Sequence, residues 1–222
     1  MDHKEQQPDW QEMARQLSCP DGENGIKTGN MMNQTNGNMT ATAIRKLKLQ
    51  DGETVLEIGP GNGSHITALL NQAGNLHYTG LDISATMLAE AARINAAYVA
   101  EGSVTLLQAD GEHIDTADNS FDKIFTVNTL YFWKDPAAYL AEIIRVMKSG
   151  AALVLTFATR DFMENLPFVQ YGFTLYTREE VEQLLTAGGL HIDGVFEEKE
   201  QVTSNTGDMV DRNFVVIRAR KA

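Results

Sequence analysis

The sequence is poor in cysteine and in positive charge, and each shortage excludes a class of protein. Cys19 is the single cysteine among 222 residues, which excludes an internal disulfide and is typical of a reducing compartment. Lys and Arg number 18 against 30 Asp and Glu, so the formal net charge is −12. Because nucleic-acid binding depends on clustered Lys and Arg, and no basic stripe is present, we expect no nucleic acid among the partners.

Long apolar runs, leader-like segments and metal-binding spacings are also missing. No run approaches the roughly 18 apolar residues of a membrane span, so we expect no integral membrane segment. Residues 1–7 lack the apolar centre of a signal peptide, and we therefore expect a cytoplasmic protein. The five histidines and one cysteine show no His-x-x-x-His or Cys-x-x-Cys pattern, so we expect no metal.

The most informative stretch is a glycine-rich turn between a strand pattern and a helix pattern. An apolar, β-branched run at residues 54–58 breaks into three alternate glycines, Gly59, Gly61 and Gly63, and a helical pattern begins at Ile66. Such a turn lets the backbone approach a ligand closely and directs the free N–H groups of the new helix at it. The pattern therefore favours a nucleotide-like ligand over a purely structural turn.

The glycine spacing separates two kinds of nucleotide site. A dinucleotide fingerprint, Gly-x-Gly-x-x-Gly, would need its third glycine at Ser64, which disfavours a nicotinamide-dependent oxidoreductase. The sequence instead reads Glu-x-Gly-x-Gly-x-Gly from Glu57, and Asp82 closes the next strand pattern. This combination resembles motif I and the second-strand acid of the class I S-adenosylmethionine-dependent methyltransferases, of the UbiE or methyltransferase-11 type. The resemblance covers roughly residues 40–222.

The resemblance implies S-adenosyl-L-methionine as the cofactor and gives roles to residues that follow strand ends. The glycines would cradle the methionine and ribose, and Glu57 would hold the loop or, through water, the methionine amino group. Asp82 would accept from the ribose hydroxyls, and Ile83 would pack on the adenine. Asp110 would accept from the adenine amino group. A backbone N–H of Gly111 or Glu112 would donate to a ring nitrogen. The predicted cofactor-binding residues are Glu57, Gly59, Gly61, Asn62, Gly63, Asp82, Ile83, Asp110, Gly111, Glu112, Val127 and Asn128.

Strand and helix patterns alternate along the chain and predict an α/β fold. The last two strand patterns follow each other without a helix, so we expect an antiparallel hairpin joined by a polar loop at 198–211. Five βα units and this hairpin give a doubly wound, seven-stranded, mostly parallel sheet, the layout that the resemblance also implies. The predicted strands are 54–58, 77–82, 104–108, 121–127, 151–158, 190–197 and 213–220.

Helix signals divide the chain into an arm and one domain. Residues 1–39 are predicted to form an N-terminal arm or lid, and residues 40–222 the methyltransferase domain. The spacing of Trp10, Met13 and Leu17 predicts a short docking helix in the arm. Further helices are predicted at 40–49, at 84–98, from 136 to a stop at Gly150, and after a capping box formed by Thr177 and Glu180.

Three segments are candidates for binding the methyl acceptor. Residues 29–40 interleave amides with methionines, which suits a lid over an amphipathic ligand, although a polar linker is the alternative. Residues 159–176 form a long aromatic insertion between a strand and a helix. The segment after Asn128 lacks the Pro-Pro of enzymes that methylate base amines. We therefore expect a compact, apolar or aromatic metabolite in an enclosed pocket, with Asn33, Asn36, Tyr131, Phe162 and Phe173 as substrate-binding candidates.

The catalytic requirement is small, because a sulfonium methyl is already activated. A base is needed only where the nucleophile carries a proton of high pKa; Tyr131, His113 and His65 are weak candidates, and none is assigned. The leading hypothesis is methyl transfer to a small molecule. A non-catalytic nucleoside-binding sensor or partner subunit with the same fold is the alternative, and the oligomeric state stays open.

Overall fold

A computed structural model describes residues 9–203 and 209–222. The described strands are β1 Thr54–Ile58, β2 His77–Asp82, β3 Val104–Gln108, β4 Phe121–Val127, β5 Met147–Ala158, β6 His191–Thr203 and β7 Met209–Arg220. The α-helices are α1 Trp10–Ser18, α2 Gly22–Leu47, α3 Ile66–Leu70, α4 Ala85–Ile94, α5 Ala96–Glu101, α6 Pro136–Val146, α7 Arg160–Met163 and α8 Arg178–Ala187, with a 3₁₀ turn at Leu130–Phe132. Within these ranges, no helix combines the length and the apolarity needed to cross a membrane.

The seven strands form one sheet in the order β3-β2-β1-β4-β5-β7-β6. Strands β1 to β5 pair in parallel, and β7 runs antiparallel to both β5 and β6. The predicted doubly wound sheet with its terminal hairpin is confirmed. The strand order reverses between β1 and β4, and in open α/β sheets ligands bind beyond the carboxyl ends of the strands at such a point.

Helices cover both faces of the sheet, and the central strands are buried on both sides. Successive residues of β5 alternate between two apolar clusters: Leu153 and Leu155 pack with α6 and α8, whereas Val154 packs with α2 and α3. All three side chains are fully buried. This burial explains the unbroken apolar run that predicted the strand.

Helix α2 is the largest departure from the predicted elements. It begins at Gly22 and runs without a break to Leu47, so the prediction of a helix starting at residue 40 was wrong. Glycine and asparagine have low helix propensity, and packing overrides it here. A Cβ on Gly25 would meet the Pro20 carbonyl carbon at 2.7 Å, and one on Gly29 would meet Met87 Sδ at 2.5 Å. The glycines therefore allow α2 to lie against its neighbours, and the arm proposed for residues 1–39 is continuous with the next segment.

Three other boundaries differ from the predictions. The 84–98 helix is divided into α4 and α5 at Asn95, whose Nδ2 donates to Gly63 O at 3.0 Å and so supports the glycine turn. Helix α6 ends at Val146 rather than at Gly150, because β5 already begins at residue 147. The hairpin strands extend to Thr203 and back from Met209, so most of the loop predicted at 198–211 is strand. Residues 204–208 of that loop lie outside the described residues.

Candidate functional site

A cavity of about 170 Å³ lies beyond the carboxyl ends of β1, β2 and β4. We call it the strand-end cavity. Helices α1 and α2 cover it, through residues such as Leu17, Met32 and Asn33. Nine of the twelve predicted cofactor residues line it: Glu57, Gly59, Gly61, Asn62, Asp82, Ile83, Gly111, Val127 and Asn128.

The three glycines of the turn have different roles. All have positive φ, at 75° for Gly59, 56° for Gly61 and 65° for Gly63. A Cβ on Gly59 would overlap Thr129 Cγ2, and one on Gly63 would come within 2.9 Å of Ala91 Cβ, so both sites are close-packed. A Cβ on Gly61 would meet no atom within 4 Å. Gly61 therefore leaves open space at the cavity wall, whereas Gly63 packs the turn and does not line the cavity.

Glu57, the next-to-last residue of β1, is a buried acid with two partners on one oxygen. The Tyr78 hydroxyl donates to Glu57 Oε2 at 2.5 Å, and His65 Nε2 lies 2.7 Å from the same atom. Burial opposes protonation of His65, but the Glu57 charge and hydrogen bond outweigh it and raise the pKa of the imidazole. Burial, followed by the Glu57 charge, raises the pKa of Tyr78 well above its usual value. Among the described residues Oε1 of Glu57 has no hydrogen-bond partner, and Glu57 lines the cavity.

Asp82 ends β2 and is held by backbone N–H groups. Its Oδ2 accepts from Gly61 N–H at 3.1 Å and its Oδ1 from Ser84 N–H at 2.9 Å. Burial raises the pKa of this carboxyl to about 6, against the lowering effect of those hydrogen bonds. The side chain is thus fixed in position at the cavity wall and carries a carboxylate above pH 6.

Gly63, Asp110 and Glu112 do not line the strand-end cavity, although they are predicted cofactor residues. Asp110 Oδ1 accepts from the N–H groups of Glu112 and His113 at 2.7 Å each, and Oδ2 pairs with His113 Nδ1 at 2.8 Å. The His113 hydrogen bonds hold the pKa of the Asp110 carboxyl well below its usual range. Glu112 pairs with Lys134 Nζ at 2.5 Å. The contact between Asp110 and adenine stays a prediction, with the carboxylate held in this exposed loop.

A second cavity, of about 490 Å³, adjoins the first. We call it the aromatic chamber. It contains the predicted substrate residues Asn36, Tyr131, Phe162 and Phe173, whereas Asn33 lines the strand-end cavity alone. The Phe132 and Phe173 rings pack edge to face with centroids 4.6 Å apart. The residues that line both cavities, and so form their junction, are Leu17, Met32, Asn36, Asn128 and Phe132.

None of the three weak base candidates is suited to that role. The Tyr131 hydroxyl accepts from Ala158 N–H at 2.7 Å and lies 3.0 Å from Asn128 Oδ1. Burial raises the pKa of Tyr131 well above its usual value, so the hydroxyl keeps its proton. His113 is exposed and lines neither cavity. His65 lines the strand-end cavity, but its ring is occupied by Glu57.

Sequence reasoning missed one wall of the aromatic chamber. The hairpin of β6 and β7 extends past the end of β5 and contributes Val202, Val210 and Arg212. Arg212 pairs with Glu200 at 2.6 Å and donates to Thr35 O at 2.6 Å, which ties the hairpin to α2. Its charged residues make the segment resemble a polar loop in the sequence. In the structure Arg212 and Glu200 pair with each other, and Arg212 also donates to α2. The sequence held no signal for this wall beyond a weak alternation in the two hairpin segments.

Known proteins resemble this chain in sequence and in fold. Residues 56–155 match the model of a methyltransferase domain. The uncharacterised methyltransferase YdaC of Bacillus subtilis is 29% identical over 133 residues, which are 60% of this chain and 71% of that protein. A tRNA U34 carboxymethyltransferase of Shewanella woodyi is 30% identical over 55% of this chain, but the match spans 37% of its own length.

Solved structures give the same result. A crystal structure of a S-adenosylmethionine-dependent methyltransferase from Aquifex aeolicus aligns with a TM-score of 0.66 at 20% identity, covering 95% of this chain and 98% of that one. The match therefore includes the terminal hairpin as well as the parallel strands. The matched domain and the methyltransferase relatives, together with a fold shared with a solved methyltransferase, support assignment to the class I S-adenosylmethionine-dependent methyltransferases.

Proposed function

We propose that this protein transfers the methyl group of S-adenosyl-L-methionine to a small, apolar or aromatic metabolite. The observation that carries the proposal is the junction between the two cavities. The strand-end cavity holds the acids and glycine turn of a nucleoside site, and the chamber beside it is lined mainly by aromatic, Met and Leu side chains. A chamber of about 490 Å³ falls in the range of small-molecule sites.

The residues of the strand-end cavity fit the cofactor. Glu57 Oε1, without a partner among the described residues, suits the ammonium group of the methionine portion. Asp82 can accept hydrogen bonds from two ribose hydroxyls. The open space at Gly61 allows the cofactor to approach the backbone of the turn. The cofactor supplies an activated methyl group, so the protein needs to align the acceptor and exclude water.

A macromolecular acceptor is the competing proposal, since one relative is named for tRNA. The chamber disfavours it, because the Phe173 ring packs against Phe132 and Phe168 with centroid distances of 4.6 Å and 5.5 Å, and α1 and α2 cover the adjoining cavity. The net charge of −12 disfavours a phosphate backbone. Our proposal therefore includes a small-molecule acceptor, no nucleic acid, and a cytoplasmic location.

Calorimetry followed by a transfer assay tests the proposal. We expect the protein to bind S-adenosylmethionine and S-adenosylhomocysteine, and not NAD. A labelled methyl donor incubated with a metabolite extract should then yield a labelled small product. Binding of NAD alone would refute the family assignment of the site. Cofactor binding without transfer to any metabolite would favour a nucleoside sensor or partner subunit.

A further inference from the structure

Two asparagine amides stand at the junction of the cavities, one on each wall. Asn36 projects from α2, and Asn128 follows the end of β4. Both residues line the strand-end cavity and the aromatic chamber. Asn128 Nδ2 lies 3.4 Å from Met39 Sδ, and Met39 is three positions from Asn36 on the same helix face. Both amides therefore border the junction, where the proposed function brings the acceptor and the methyl group together.

The orientation of each amide is fixed by a partner that can only donate. Arg212 Nη1 donates to the Asn36 side chain at 3.1 Å, and a guanidinium has no acceptor, so the contacted atom is Oδ1. The Ala158 N–H donates to the Asn128 side chain at 3.2 Å, so that atom is also Oδ1. Arg212 is itself held by Glu200, at 2.6 Å. Reversing either amide would place N–H against N–H.

Because the two Oδ1 atoms are held by these donors, the NH₂ groups of Asn36 and Asn128 are the parts of the amides left to bind a ligand. Within the described part of the chain, Asn36 Nδ2 has no hydrogen-bond partner. Asn128 Nδ2 has only the Met39 sulfur, a weak acceptor, at 3.4 Å. Two donors at the same junction suit an atom with lone pairs and no hydrogen of its own. An amine or ammonium acceptor would place its hydrogens against these donors.

The surrounding groups favour an oxygen that ionises without help from a base. Tyr131 keeps its proton, and Asp211, at the hairpin end of the chamber, is paired with Lys199 at 2.7 Å. An aliphatic alcohol would need a base to lose its proton, whereas a phenol or enol ionises near neutral pH when two N–H donors stabilise the anion. We propose that Asn36 and Asn128 form an amide pair that binds the oxyanion of a phenolic or enolic acceptor, which is methylated on that oxygen.

The proposed step balances without a further reagent. The acceptor hydroxyl releases its proton to water, and the oxygen anion attacks the methyl carbon of S-adenosylmethionine. An oxygen–carbon bond forms, and the sulfur–methyl bond breaks with its electron pair remaining on sulfur, which leaves S-adenosylhomocysteine. This inference rests on the proposed function, because the oxygen must lie beside a bound methyl donor.

The test uses 4-nitrophenol, whose anion absorbs visible light, with the protein saturated by S-adenosylhomocysteine. We expect the bound probe to ionise at least one pH unit below the free probe. The variants Asn36→Asp and Asn128→Asp keep the oxygen that Arg212 or Ala158 contacts and replace the NH₂ donor with a carboxylate oxygen, which also adds a negative charge. Each should weaken binding of the anion about tenfold or more, the cost of one hydrogen bond to a charge. Asn36→Leu, which removes the donor without adding charge, should weaken it similarly.

Matched controls separate the donor from the backbone and the helix. Asn75→Asp changes an exposed asparagine with φ 55°, close to the 58° of Asn128, and Gln34→Leu changes an exposed position of α2. Both should leave the bound pKa of the probe unchanged. A probe that fails to bind, binds as the neutral phenol, or competes equally with 4-nitroaniline would overturn the amide pair. Calorimetry of S-adenosylhomocysteine with each variant distinguishes that outcome from failure of the proposed function itself.

Discussion

Asp82 is the residue whose ionisation most directly links the fold to the cofactor. Its carboxyl has a pKa of about 6 because it is buried at the cavity wall, with Glu57 adding a like charge. The ionised form can accept from two ribose hydroxyls, whereas the protonated form must use one oxygen as a donor. Binding of a nucleoside therefore favours the carboxylate.

We predict that affinity for S-adenosylhomocysteine falls as the pH drops below 6, by up to about tenfold per unit. Asp82→Asn should weaken binding by about 1–3 kcal/mol at pH 7.5 and remove this pH dependence. Calorimetry between pH 5 and pH 8 measures both effects. An unchanged affinity across that range in the wild-type protein would show that Asp82 does not contact the ligand.

The same raised pKa has the opposite consequence for the unliganded fold. The folded state binds the Asp82 proton more tightly than the unfolded chain, so the contribution of Asp82 to stability is fully present below pH 4 and is lost as the pH rises to about 6. Asp82→Asn removes this pH-dependent cost but turns an NH₂ group towards the N–H of Gly61 or Ser84. We therefore expect its effect on the melting temperature, relative to the wild-type protein, to be more favourable at pH 7.5 than at pH 4. Thermal unfolding of the ligand-free variant at pH 7.5 and pH 4 checks this; a similar effect at both values would contradict the assignment to Asp82.

Gly59 and Gly61 form a matched pair for testing the turn. Alanine at either position adopts a positive φ, which costs about 1–2 kcal/mol. Gly59→Ala adds an overlap with Thr129, whereas Gly61→Ala meets open space. We expect Gly59→Ala to reduce the free energy of unfolding clearly more than Gly61→Ala, in urea titrations without ligand. Equal losses would mean that Thr129 moves aside easily.

At the level of elements, the hairpin of β6 and β7 holds helix α2 over the aromatic chamber. Arg212 is buried and the Glu200 side chain is 11% exposed, and Arg212 also contacts Thr35 O and Asn36 Oδ1 on α2. Asn38 adds a hydrogen bond to Glu200 at 2.9 Å. Removing the guanidinium would leave a mostly buried carboxylate and two free acceptors on the helix.

We predict that Arg212→Met destabilises the fold by about 3 kcal/mol and loosens the first half of α2. Hydrogen exchange should rise in residues 29–38 and stay unchanged in β1 and β4. Lys199→Met is the matched control, because Lys199 pairs with Asp211 on the same hairpin but both side chains are mostly exposed. Equal exchange in the two variants would show that Arg212 does not hold the helix.

Elements encoded by local signals were predictable from the sequence, and elements set by distant contacts were not. The capping box of Thr177 and Glu180 lies within one turn, and α8 begins there as predicted. The start of α2 depends on Gly29 meeting Met87, 58 positions away, which no local pattern reports. The placement of Glu57 and Asp82 at one cavity was predictable, because both lie near the carboxyl ends of parallel strands and those ends meet at one edge of the sheet. Asp110 followed from the same rule, but hydrogen bonds in its own loop turn its carboxylate elsewhere.

For the whole molecule, the distribution of charge decides which acceptors can approach. The net charge is −12, and Arg212, which lines the aromatic chamber, pairs with Glu200. We predict no binding of bulk tRNA in a filter assay at 50 mM salt, because neutralising phosphates requires free cationic side chains. The assay is informative because one relative of this chain is named as a tRNA U34 carboxymethyltransferase. Micromolar binding that weakens steeply with added salt would move the acceptor from a metabolite to a nucleic acid.

The tie between α2 and the hairpin also bears on the order in which the protein is made. Thr35 and Arg212 are 177 positions apart, so the chamber gains its last wall after almost all of the intervening chain has left the ribosome. Strands β1 to β5 pair with one another in parallel, and the hairpin joins the sheet only at the edge of β5. We therefore expect a nascent chain to complete the strand-end cavity before the aromatic chamber. Ligand captured at this stage would stabilise the incomplete chain until synthesis supplies the hairpin.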